Sequence, residues 1–334
     1  MMKAQVIKQF GDPSVFELMD VPLPTLKPGQ VLIKVAATSI NQIDCKIRSG
    51  AVPALSPEFP AVLNGDVAGV ITAVAPDVQN VKIGDEVYGC AGGLRGTPGA
   101  LAEFMLADSK LIAKKPTSLS MAEAAALPLV TITAWEALFK KAKLTANKNI
   151  LIHGGVGGVG HIAVQLAKWC GANVYATVLK NEDFSLAKSL GADEIINAKE
   201  EEVEKYVARL TQGKGFDVVF DTIGGSNLDR SLFAAAMNGC VVTTVARSTH
   251  DLTPMHNKGL SLHVVFMLLP ILTGIGREEH GEILSKVAEI VNQGKLKPLI
   301  DPHQFTLEQI SDAHRLLESG KARGKVVLSI KNQH

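Results

Sequence analysis

Five of the seven residues from Gly154 to Gly160 are glycine, within the stretch LIHGGVGGVGHIAVQLAKWCG. Glycine tolerates a tight turn and leaves backbone N–H groups uncovered, so a run of this kind suits close approach of the main chain to an anion. Gly155-Val156-Gly157-Gly158-Val159-Gly160 fits GxGxxG. It follows the strand-like NILIH, opens the helix-like GHIAVQLAKW and is followed by the strand-like NVYAT. That order is what seating a dinucleotide pyrophosphate at a helix N-terminus requires. The end of the second strand distinguishes the nicotinamide cofactors. An NAD site carries Asp or Glu there, about twenty residues past the glycines, to hold the ribose 2′-hydroxyl. Thr177, Val178 and Leu179 occupy that place and Lys180 follows, with Glu182 and Asp183 diluting its charge. A neutral strand end beside an ammonium suits a 2′-phosphate, so the expected cofactor is NADPH, with Thr177 and Lys180 among its contacts.

The elements that must position this turn are legible as patterns. From Asn149 onward short apolar strands alternate with helical stretches: NILIH, GHIAVQLAKW, NVYATV, FSLAKSLGA, DEIINA, VEKYVARLTQG, FDVVFDTIG, NLDRSLFAAAMNG and CVVTTVA. Such alternation predicts right-handed crossovers and a doubly wound parallel sheet. Before Ser118 the chain is strand-like, with Gly and Pro punctuation. A helical composition begins at LSMAEAAALPLV, with Ser120 as its cap and Pro128 as an interruption. EILSKVAEIVNQGKL reads as a late helix and ARGKVVLSI as a closing strand.

Composition bounds the function. A chain of 334 residues, 46% apolar and 20% charged, suits a soluble protein of two domains. Thirty-four Lys+Arg against thirty-three Asp+Glu give no field that would gather nucleic acid or an anionic membrane, so a small-molecule partner is expected. The first twenty residues are too charged for a secretory signal, which favours the cytosol. The apolar run VVFMLLPILTGI from Val264 is too short to cross about 30 Å of hydrocarbon; it reads as buried or as a homodimer interface. Cys45, Cys90, Cys170 and Cys240 are too widely spaced for a disulfide framework or a cysteine zinc knuckle.

On GQVLIKVAATSINQIDCKIRSG, LNGDVAGVITAVAPDV, LPLVTITAWEAL, GGVGGVGHIAVQLAK with SLGADEII, and ARGKVVL, nearly the whole chain resembles the medium-chain dehydrogenase/reductase superfamily, and within it the zinc-free, zeta-crystallin-like quinone oxidoreductases. The resemblance implies an α/β protein with a GroES-like, β-rich catalytic domain over 1–120, a Rossmann domain over 121–265 and a return segment over 266–334. It implies that Asn41 and Asp44, in SINQID, lie beside the nicotinamide, with Gln42 replacing the family's proline. It further implies that Thr133 meets the carboxamide, with Thr131 two residues away, and that Lys325 faces the cofactor cleft. Read without the family, Asn41 and Asp44 serve equally well as caps of local backbone, and Lys325 as a strand-end charge.

Departures from the pattern are as informative. Zinc members of the superfamily ligate catalytic metal with a cysteine where this chain has Asn41, and with a His-Glu pair where it has Gly65-Asp66. Of their four-cysteine structural site only Cys90 remains, so no metal is expected. Cys45 and Lys46 stand where some relatives carry tyrosines, and Ala198 where many have a tyrosine near the adenine. Hydride transfer without a Lewis acid favours conjugated acceptors, whose incoming charge spreads onto an oxygen that Asn41 or Lys46 could stabilise. The expected activity is NADPH-dependent reduction of a quinone or an α,β-unsaturated carbonyl. The alternatives are an alcohol dehydrogenase of the same fold, or a low-turnover nicotinamide-binding structural or nucleic-acid-binding protein. Cys45 reads as a packing residue, since no histidine is near it in sequence.

Overall fold

The computed structural model describes residues 1–330. In chain order the strands and helices are β1 (Met2–Ile7), β2 (Phe16–Val21), β3 (Gln30–Ile40), α1 (Gln42–Arg48), β4 (Ala61–Val62), β5 (Asp66–Val74), β6 (Glu86–Cys90), β7 (Phe104–Asp108), β8 (Ile112–Lys114), α2 (Met121–Ala125) and α3 (Pro128–Trp135). There follow β9 (Asn149–Ile152), α4 (Gly160–Trp169), β10 (Asn173–Val178), α5 (Phe184–Ser189), β11 (Glu194–Asn197), α6 (Val203–Thr211), β12 (Phe216–Asp221), α7 (Asn227–Ala234), β13 (Ala235–Thr243), α8 (Thr253–Lys258) and β14 (Ser261–Val264). The chain closes with α9 (Leu269–Thr273), α10 (Arg277–Asn292), β15 (Phe305–Thr306), α11 (Ile310–Glu318) and β16 (Val326–Ser329). It forms two compact units, one of Met1–Leu129 with Leu268–His334, the other of Val130–Met267.

The first unit is built on β3. Its sequence QVLIKVAATSI alternates over the first half, and Val31, Ile33 and Val35 are fully buried while the residues between them are half-buried. Antiparallel partners surround it: β5 on one side, and β7 then β16 along the other, within a sheet ordered β15-β16-β3-β5-β6-β8. At its C-terminal end the register places Val326 opposite Ile40 and Ala68 opposite Ala37. Residues at the start of β5, just before β16 and just after β3 therefore converge, although 25 to 285 positions separate them in sequence. Helix α2 starts as its sequence predicts: Ser120 Oγ accepts from Glu123 N at 3.3 Å, and Glu123 returns Oε2 to Ser120 N at 2.8 Å. Pro128 opens α3, where its missing N–H costs nothing.

The second unit is a six-stranded parallel sheet ordered β11-β10-β9-β12-β13-β14. Ile150, Leu151 and Ile152 in β9, Ala176, Thr177 and Val178 in β10, and Val218, Val219 and Phe220 in β12 are buried in consecutive runs, as strands covered on both faces must be. From β9 the chain winds outward through β10 to β11, then crosses back to place β12 on the other flank of β9. The turn after β9 thus stands at the topological switch point, where open α/β sheets bind ligands. The helix expected over NLDRSLFAAAMNG is shorter than its composition suggests: α7 stops at Ala234, and Ala235 already pairs with Phe216 as β13.

Candidate functional site

Each unit carries part of the expected site. In the second, the glycines divide by what surrounds them. A Cβ on Gly155 would meet the Ala176 Cβ at 2.7 Å, and one on Gly160 would meet the Gly154 carbonyl oxygen at 2.0 Å. These two are required by internal packing. A Cβ on Gly157 would meet a single neighbour, the Gly154 oxygen, at a tight 3.2 Å, so internal packing asks less of this glycine than of Gly155 and Gly160 and leaves its other side open. The N–H groups of Val156, Gly158 and Val159 have no acceptor among the described residues, whereas Gly155 N donates to Thr177 O at 2.9 Å and Gly157 N to Gly154 O. An open face with three uncommitted donors, leading into the ten-residue α4, fits the pyrophosphate of a dinucleotide.

Thr177 supports this turn from below. It is 1% exposed, and its Oγ1 accepts from Gly154 N at 3.1 Å and lies 3.4 Å from His153 Nδ1. Burial, with the Arg230 charge adding and Asp221 opposing, pushes His153 down to about 4 and keeps it neutral. Lys180 is exposed on the surface beyond β10, 3.4 Å from Glu182. Thr133 lies in α3 and is 5% exposed; Thr131 is fully buried, and its hydroxyl has no partner among the described residues. Asp221, which sequence reasoning passed over, ends β12 with its carboxylate accepting from Ile223 N, Gly224 N, Asn227 Nδ2 and Ser231 Oγ, and so fixes the loop after that strand.

In the first unit, Asn41, Asp44 and Lys325 come together around Asp66. Asp66 is wholly buried, and its Oδ2 accepts from Asn41 Nδ2 at 2.8 Å and Ser39 Oγ at 2.8 Å, while Oδ1 accepts from Leu129 N at 2.9 Å. Lys325 Nζ donates to Asn41 Oδ1, to Ile40 O at 3.1 Å and toward Asp66 Oδ2 at 3.5 Å. The Asn41 carboxamide is therefore held at both ends, with its oxygen toward Lys325 and its nitrogen toward Asp66. One Nδ2–H is left without an acceptor among the described residues. Burial pulls the Lys325 pKa down, opposed by the charges of Asp66 and Asp44. Gly324 must precede this lysine, since it has φ +74° and a Cβ there would meet Leu299 O at 2.2 Å.

Asp44 caps its own helix: its Oδ2 accepts from Asn41 N at 2.7 Å, the local role open to it from sequence. Burial above all, with Asp66 adding, pushes its carboxyl up to about 7. Lys46 lies on the exposed side of α1. Cys45 has a histidine beside it after all, since Sγ lies 3.4 Å from His314 Nδ1, brought in by α11. Burial nonetheless disfavours the thiolate and the imidazolium alike. Burial, reinforced by Asp44 and Glu318, pushes the thiol up to about 12, and burial with Arg48 pushes His314 down to about 3. Tyr88 is a core anchor whose hydroxyl donates to Leu284 O at 2.7 Å.

Among the described residues no three His, Cys, Asp or Glu side chains gather as a metal-binding group. Nor is any helix of the described residues long and apolar enough to cross a membrane.

Residues 27–117 match the profile of the alcohol dehydrogenase GroES-like domain, and residues 190–328 that of a zinc-binding dehydrogenase. An NADPH-dependent alkenal/one oxidoreductase from Arabidopsis thaliana, described as chloroplastic, is 36% identical over 98% of this chain and 79% of its own. A chloroplastic quinone oxidoreductase from Triphysaria versicolor is 37% identical over 93% of this chain and 92% of its own. The crystal structure of an alcohol dehydrogenase superfamily protein from Novosphingobium aromaticivorans superposes with a TM-score of 0.94 at 38% identity, covering 99% of this chain and all of that one.

Proposed function

The chain belongs to the quinone oxidoreductase-like medium-chain dehydrogenase/reductase family, and from that premise we propose that it reduces a quinone or an α,β-unsaturated carbonyl with NADPH and without a metal. The observation that carries the reading is the Asn41 carboxamide held between Asp66 and Lys325 with one N–H uncommitted. At the positions where zinc members place ligands, this chain has a hydrogen-bond network, closed but for that N–H, whose cation is an ammonium. Its Asp66 carboxylate is spent on Ser39, Asn41, Lys325 and Leu129.

Bound NADPH supplies a hydride. The N–H groups of Val156, Gly158 and Val159 would hold its anionic linkage, and Lys180 would meet a 2′-phosphate. The uncommitted Asn41 N–H, fixed before any substrate arrives, suits an oxygen that gains charge as the acceptor is reduced. Lys46, exposed on α1, offers a second donor. Thr133 is assigned to the nicotinamide carboxamide on family resemblance. A saturated alcohol would need its hydroxyl acidified, and the carboxylates of Asp66 and Asp44 are already engaged by donors within the protein.

A homodimer is the proposed assembly. It is supported by Val264 and Phe266, 47% and 36% exposed at and just beyond the sheet's edge strand β14. A reducing compartment such as the cytosol suits four free cysteines. The test is NADPH oxidation with 1,4-benzoquinone, an alkenal and a saturated aldehyde, alongside NADP⁺ with 2-propanol. Turnover confined to the first two acceptors is expected. Rapid oxidation of 2-propanol with inert conjugated acceptors would overturn the assignment.

A further inference from the structure

Outside both parts of the site, the loop after β13 carries a serine, a histidine and an aspartate in hydrogen-bond sequence. Ser248 Oγ lies 2.5 Å from His250 Nε2, and His250 Nδ1 lies 2.8 Å from Asp229 Oδ1 in the first turn of α7. A carboxylate only accepts, so the proton belongs on Nδ1 and leaves Nε2 bare to accept from the serine hydroxyl. That is the order of nitrogens by which a histidine activates a serine nucleophile. The imidazole side chain is 8% exposed, whereas Ser248 lies on the surface, so the base is sheltered and the nucleophile accessible. The backbone N–H groups of Arg247, Ser248, Thr249 and His250 have no acceptor among the described residues. Donors of the kind that stabilise an acyl oxyanion thus flank the hydroxyl in sequence.

We propose that Ser248, His250 and Asp229 form a second, hydrolytic site for small carboxylic esters, independent of the reductase reading. Ser248 Oγ bonds to the acyl carbon as its proton passes to His250 Nε2. The tetrahedral adduct collapses with cleavage of the ester C–O bond, and the departing alcohol takes that proton. Water, deprotonated by the same imidazole, then attacks the acyl-serine, releases the carboxylic acid and restores the hydroxyl. No oxidant or reductant is needed. His250 supplies the general base, and Asp229 holds its ring and tautomer.

The full chain, with no nicotinamide added, is offered p-nitrophenyl acetate, and separately a fluorophosphonate probe read by peptide mass spectrometry. Nitrophenolate release should fall at least roughly tenfold in Ser248→Ala and in His250→Gln, as loss of a positioned nucleophile or base requires. The probe should modify Ser248. Should Ser248→Ala lower the melting temperature, Ser248→Cys decides instead, because it should accumulate a covalent acetyl group at that position. Equal hydrolysis by wild type and a folded Ser248→Ala, absence of label at Ser248, or no acetylation of Ser248→Cys would each overturn the proposal.

Discussion

Two regions, one in each compact unit, use hydrogen bonds in opposite ways. Around Asp66 nearly every donor and acceptor is matched within the protein, and the product is one carboxamide held in a single orientation. At the glycine turn, Val156, Gly158 and Val159 leave their N–H groups open, and the product is a row of donors suited to an anion. The contrast separates positioning from binding. A positioning network gains from internal closure, because a half-satisfied buried cluster is costly; a binding surface must leave its donors unspent until a ligand arrives.

Breaking the closed network should have the largest effect. Lys325→Met leaves the wholly buried Asp66 carboxylate without its cation, and removal of one partner from a buried pair costs about 3–5 kcal/mol. A large drop in the urea midpoint and loss of turnover are expected. Retention of wild-type stability would show that the network is not closed through Lys325.

Asp44 sharpens the same point through pH. Its carboxyl is raised to about 7 in the folded protein, above the ordinary aspartate value near 3.9. The folded state therefore holds this proton more tightly than the unfolded one. The resulting stability is complete below about pH 4 and is lost as pH rises to about 7, by on the order of 4 kcal/mol at most. Asp44→Asn should flatten the denaturation midpoint across that window, and an unchanged slope would place the titration elsewhere.

The open turn should respond in affinity more than in stability. Gly157→Ala meets one oxygen at a tight 3.2 Å, so it should cost much less stability than Gly160→Ala yet weaken NADPH binding by roughly ten- to a hundredfold. Gly160→Ala, with an oxygen 2.0 Å away, should lower the melting temperature as well. If calorimetric titration and thermal melts give the two variants the same profile, the division between packing glycines and binding glycines fails.

How much was legible beforehand follows the same division. The glycine turn, its strands and the Ser120 cap are local, and each is written in contiguous residues that dictate their own conformation. The network around Asp66 is not, since Ser39, Asp66 and Lys325 meet only through the register of β3 with β5 and β16. Family resemblance marked Asn41, Asp44 and Lys325 but treated Asp66 only as a missing metal ligand, and gave no sign that it orders the others. Sequence distance likewise hid His314 from Cys45. The strand end suggests a cofactor contact for Thr177; the sequence gives no sign that its hydroxyl also accepts from Gly154 N.

The most direct test of the central claim follows the hydride itself. The protein is given NADPH deuterated on the transferred face of C4 and an α,β-unsaturated ketone, and the product is read by mass spectrometry and NMR. Delivery to a conjugated acceptor, with charge collected on an oxygen near Asn41, predicts a saturated ketone bearing deuterium at the β-carbon. Deuterium on the carbonyl carbon of an allylic alcohol would contradict it.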